Sequence, residues 1–155
     1  MTYPNAPAIN AALFNIVRNV CVELQVPMTI PGAEYPKGAD SFVKFSMLAI
    51  APSPARPEQS RSFLSVEILC YHKHGALAED GKIYGHLELA QHFINLFHQT
   101  RIMVNTSCLQ FREAKLIALD LKALGQFNQV STQPSSSLNL NVAAIESIAT
   151  INERI

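Results

Sequence analysis

The chain has 155 residues, of which 48% are apolar and 15% charged, and 12 Lys and Arg balance 12 Asp and Glu. Its length fits one domain with a sizeable core, and its charged fraction lies well below the roughly 25% of an average soluble domain. A neutral chain lacks the basic excess of proteins that coat nucleic acid or anionic membranes; near-zero charge instead favours association, so a place inside an assembly is expected.

Cys21, Cys70 and Cys108 are far apart, and each sits in an apolar run. An odd count without CxxC spacing argues against a disulfide framework or a structural zinc site. They read as small core residues in a reducing compartment. The first residues, MTYPNAPAIN, have no basic segment leading into an apolar run, so no secretory signal is expected. No stretch approaches the roughly 18 consecutive apolar residues of a membrane span. A soluble, intracellular protein is expected.

Residues 5–24, NAPAINAALFNIVRNVCVEL, read as the first helix. Asn5 can cap it, Pro7 suits its first turn, and Pro27 is expected to end it. Ile9, Leu13, Ile16, Val17, Val20 and Leu24 fall at helical spacing as one apolar stripe. Residues 31–40 hold two Pro and two Gly and form a loop. SFVKFSMLAI (41–50) reads as a strand with little alternation, expected to be covered on both faces. APSPARPEQSR (51–61) carries three prolines and makes a connection longer than a hairpin needs. Loops of that length tend to be functional.

RSFLSVEILCYH (61–72) is the clearest strand. Leu64, Val66, Ile68 and Cys70 share one face and read as core; Phe63, Ser65, Glu67, Leu69 and Tyr71 share the other. KIYGHLELAQHFINLFHQ (82–99) is a second amphipathic helix. Its row Leu87, Ala90, Ile94 and Phe97, with Leu89, Phe93 and Leu96 beside it, is expected to pack on the sheet, with Leu87, Ile94 and Phe97 covering the Val66 face. Three candidate strands follow: RIMV (101–104), SCLQFREAKLIALDLKAL (107–124) and SLNLNVAAIESIATI (137–151). The Ser/Gln/Asn-rich 125–137 has no core pattern. Helix, strands, helix, strands, without βαβ repetition, predicts one α+β domain with an antiparallel or mixed sheet against two main helices.

His72 and His74 stand one residue apart at the end of the clearest strand, with Glu79 five residues on. Residues i and i+2 of a strand share a face, and HKHGALAE resembles the first half of the cupin metal motif. That motif wants a Gly where Val66 stands, a further barrel strand where an amphipathic helix follows, and a later PxGxxH ligand. His86, His92 and His98 are six apart, so each step turns about 120° around a helix, and they point three ways. A solvated strand end is the preferred reading of the His72–Lys73–His74 run. There is no GxSxG, Walker A, GxGxxG or HExxH motif. Apolar surroundings disfavour a nucleophilic thiolate at any of the cysteines, and Glu67, Glu79, Asp80 and Glu88 make no acid/base pair by spacing. No catalytic residue, metal or cofactor is therefore expected.

The order of elements and their residues resembles the tail terminator, or tail completion, proteins and related minor tail proteins of long-tailed bacteriophages. The resemblance runs over about residues 8 to 120. It rests on INAALFNIVRNVCVEL, FVKFSMLAI, a Pro/polar loop leading through Arg61 into RSFLSVEILCYHKHG, and LELAQHFINLFHQ. It implies a non-enzymatic virion protein, made in the host cytoplasm, that forms a homohexameric ring at the head-proximal end of the tail. Such a ring ends polymerisation of the tail tube protein and docks the neck or connector, with a sheath as a further partner if the tail contracts. DNA would pass through the lumen without specific binding, and no membrane is involved. Another neck or head–tail joining ring protein is the alternative, and a cupin-like enzyme using His72, His74 and Glu79 a more remote one. Carried onto this chain, the resemblance makes Pro52, Pro54, Arg56, Glu58, Arg61, Phe127 and Gln129 candidate interface residues.

Overall fold

A computed structural model describes residues 4–34, 36, 38–52, 61–73, 85–119 and 140–153. Helix α1 spans Ala6–Leu24. Asn5 caps it by accepting a hydrogen bond from the Ala8 N–H, and Pro7 lies in its first turn, where no N–H is needed. The helix stops at Leu24, before Pro27. Gln25 adopts the left-handed conformation (φ 57°), and its N–H turns back to the carbonyls of Cys21 and Val22, satisfying the last turn locally. Its buried row is Ile9, Leu13, Val17 and Cys21, at a spacing of four, while Ile16, Val20 and Leu24 flank the core partly buried.

Among the described residues seven strands form one mixed sheet: β1 (Met28–Thr29), β2 (Ser41–Pro52), β3 (Arg61–Lys73), β4 (Arg101–Val104), β5 (Ser107–Phe111), β6 (Lys115–Leu119) and β7 (Leu140–Glu153). The spatial order is β1-β2-β3-β7-β5-β4, with β6 also paired to β7. Only β1 runs parallel to its neighbour. The stretch 107–124, read from sequence as one strand, holds two. β5 pairs with the 149–153 end of β7 and β6 with the 142–146 end. Between them the Arg112 N–H donates to the Ile148 carbonyl and the Ala114 N–H to His98 Nδ1, so Arg112–Ala114 is tied outside the ladder.

Helix α2, His86–Phe97, touches β3, β7 and β6, and α1 touches both β2 and β4. Three strands separate β2 from β4 in the sheet order. One helix reaches both because the sheet curls around it, as twisted strands do. Both helices thus lie on the concave face. There Leu64, Val66, Ile68 and Cys70 join Val43, Phe45, Phe93 and Phe97 in one buried cluster. The covering row of α2 differs from the predicted one. Leu89, Ala90, Phe93 and Phe97 are buried, Ile94 packs on the core partly buried, and Leu87 is 50% exposed. Leu87 is the second residue of the helix, ahead of the turn that meets the sheet.

The convex face has its own apolar end. Phe42, Tyr71 and Val142 form one cross-strand rung, with Leu69 and Ala144 in the next, and all five are buried. The Phe42 and Tyr71 rings stack with centroids 4.5 Å apart. Strand β2 therefore buries residues on both faces over its first half, as its weak alternation predicts. Its second half does not. A register shift between Met47 and Ala49 leaves Leu48 55% exposed, the local kink expected of a β-bulge.

Candidate functional site

The strand-end histidine run is only partly described. His72 belongs to β3 and continues the core-facing row past Cys70, whereas His74 and Glu79 lie outside the described residues. His72 Nδ1 is 2.8 Å from Ser41 Oγ, its register partner on β2, so the imidazole closes the end of the sheet by a hydrogen bond. His86 opens the first turn of α2. Burial and then the charge of His72 hold the His86 imidazole below its usual range. Among the described residues no group of three or more His, Cys, Asp or Glu is placed to hold a metal.

Cys21 and Cys70 behave as core residues, whereas Cys108 does not join the core cluster. Cys21 and Cys70 are buried and Cys108 partly so. Burial pushes the Cys21 thiol up to about 12, and burial, then Cys21, pushes Cys70 up as well. Neither is a thiolate at neutral pH.

The convex face carries the only like-charged cross-strand pair among the described strand pairings, Glu67 opposite Glu146. Ser46, Glu67, Glu146 and Lys115 stand side by side across β2, β3, β7 and β6. Like charges directly opposite in a sheet repel. The Glu67 carboxyl is raised above its usual range, first by burial and next by Glu146, with Lys44 offsetting part of this. Sequence reading noticed Glu67 and missed Glu146, since nothing in the spacing of two strands 79 residues apart reveals their register. Below this rung the gap between β5 and β6 opens a cleft of about 500 Å³ lined by Ser65, Gln99, Arg112, Lys115, Glu146 and Ile148. Its wall is set by the Arg112 guanidinium, 5.7 Å from the centre of the Phe63 ring, and by the Gln99 N–H donating to the Arg112 carbonyl.

Of the expected interface residues, Pro52 ends β2 opposite Ser62, and Arg61 opens β3 opposite Asn152. They thus lie at the same end of adjacent antiparallel strands. Pro54, Arg56, Glu58, Phe127 and Gln129 lie outside the described residues. Two other features of the described surface stand out. Val22 on α1 is 66% exposed, and Ile148 on the convex sheet face is 48% exposed. Among the described residues no helix is long and apolar enough to cross a membrane. No protein-family model matches the chain, and no curated protein matches it significantly.

Proposed function

We propose that the protein is a structural subunit of a closed ring that caps a phage tail tube, ends its polymerisation and offers a docking surface to the neck. The observation that carries this reading is apolar exposure on two opposite sides of the fold. Val22 is exposed on the outward side of α1, and Ile148 and Ile117 are exposed on the opposite, convex face of the sheet. Closed rings are built from heterologous contacts, in which one patch meets a different patch on the next copy. Two unlike patches on opposite faces of one fold meet that requirement. The buried thiols of Cys21 and Cys70, which burial holds in the protonated form, fit a chain that works through its surfaces rather than by cysteine nucleophiles. The resemblance in element order supplies the location, and the Pro-rich segment 53–60 is our candidate to contact tube, neighbour or neck. The test images assembled particles carrying a subunit-specific label, with a deletion of residues 53 to 59 in parallel. The label is expected at the head-proximal end of the tail, and the deletion is expected to leave tails of irregular length unjoined to heads. A label elsewhere, or normal joined tails in particles lacking the protein, refutes the reading.

A further inference from the structure

Helix α1 has an outward stripe that the core does not use. Ala11, Asn15, Arg18 and Val22 are exposed, and at 100° per residue they fall within a sector of about 60° on the side away from the sheet. A solvated helix face normally carries several charges; this stripe carries one, a cation, with an exposed valine one turn beyond it. The convex sheet face has the converse arrangement. Glu67 and Glu146 stand side by side, and Ile148 is exposed two residues along β7 from Glu146. The Arg18–Val22 step is about 6 Å along a helix, and the Glu146–Ile148 step is about 7 Å along a strand. One pair of groups therefore matches the other in sign, polarity and spacing.

We infer that the outward stripe of α1 in one copy docks on the convex sheet face of the next copy, with Arg18 between Glu67 and Glu146 and Val22 against Ile148. A guanidinium fork spans two carboxylates as an ammonium cannot, and it adds to Lys44 and Lys115 in offsetting the repulsion between Glu67 and Glu146. Lys44 and Lys115 flank the two carboxylates and are drawn aside to the rim of the contact. The contact is head-to-tail because α1 and the convex face lie on opposite sides of the sheet, so repetition builds a ring or a filament and never a closed two-fold dimer. This inference rests on the proposed ring and names the surfaces that build it.

The test uses full-length chains in a Cys108→Ser background, which leaves only the two buried thiols. One preparation carries Val22→Cys and another Ile148→Cys. Oxidised together at millimolar concentration, they are expected to give a disulfide-linked heterodimer, while neither gives one alone. Adding Arg18→Glu to the first preparation is expected to lower the yield about tenfold through like-charge juxtaposition, and adding Glu146→Arg to the second to restore it. Absence of a mixed crosslink above the single-variant background overturns the docking. So does a crosslink that ignores both charge reversals, since random collision would produce it. The ring is judged separately: labelled subunits at the tail end without this crosslink refute the docking alone, and a label elsewhere on the particle refutes the ring.

Discussion

Phe97 ends α2 and meets Phe111 of β5 edge-to-face, with ring centroids 5.1 Å apart and planes at 67°. Both side chains are buried within the main core cluster. This pair joins the helix to β5, the strand that opens the 107–124 run, so its strength measures how firmly the curl of the sheet is held. Truncating either ring to Ala removes a full aromatic and leaves a cavity, at a cost of about 3–5 kcal/mol, close to the whole stability of a marginal domain. Phe→Leu keeps most of the volume, and each single change is expected to cost about 1–2 kcal/mol. An edge-to-face pair contributes about 0.5–1.5 kcal/mol beyond area burial. The Phe97→Leu, Phe111→Leu double variant should therefore lose less than the sum of the singles by about that amount. Urea unfolding of the four proteins, followed by far-UV circular dichroism, gives the coupling directly. In thermal scans each kcal/mol should appear as about 2–4 °C in Tm. Coupling indistinguishable from zero with unchanged urea slopes would refute the assignment of the ring pair as a clamp between α2 and β5.

Val66 is 1% exposed, on the concave face beneath the helices. Val66→Asp is expected to abolish cooperative folding, because burying a carboxylate there costs several kcal/mol; a soluble protein with an intact urea transition would disprove the face assignment. Glu67 titrates in the opposite sense to a salt-bridged carboxylate. Its folded state holds the proton more tightly than the unfolded chain, so stability is greatest below the ordinary Glu range and declines as pH rises through and above it. Glu67→Gln should thus stabilise the protein at pH 7 and not at pH 4, by the lower end of about 0.2–1 kcal/mol because the site is half exposed. A Glu67→Gln protein less stable than the parent at pH 7 would show that attraction to Lys44 outweighs burial and Glu146 together.

Local pattern decided the parts of the molecule that depend on one element at a time. The period of four from Ile9 to Cys21 and the alternation from Leu64 to Cys70 each name the side that must leave water, whatever that side meets. The Asn5 cap and Pro7 are equally local, since their partners lie within the same turn. Helix–strands–helix–strands without crossover units was enough to place the fold as α+β with a mixed or antiparallel sheet. Tertiary structure decided what depends on register and on chain separation. Whether 107–124 is one strand or two follows from the hydrogen bonds that Arg112 and Ala114 make to Ile148 and His98, none of which has a signature in the run itself. Leu87 looks as apolar as Leu89, but only the position of the first turn of α2 relative to the curled sheet leaves one exposed and the other buried. The same holds for the surfaces. Glu67 and Glu146 become neighbours, and His72 meets Ser41, only once strands far apart in sequence are paired. Side-chain chemistry is written in the chain, but the distance between two charged groups is set by the register in which the sheet closes.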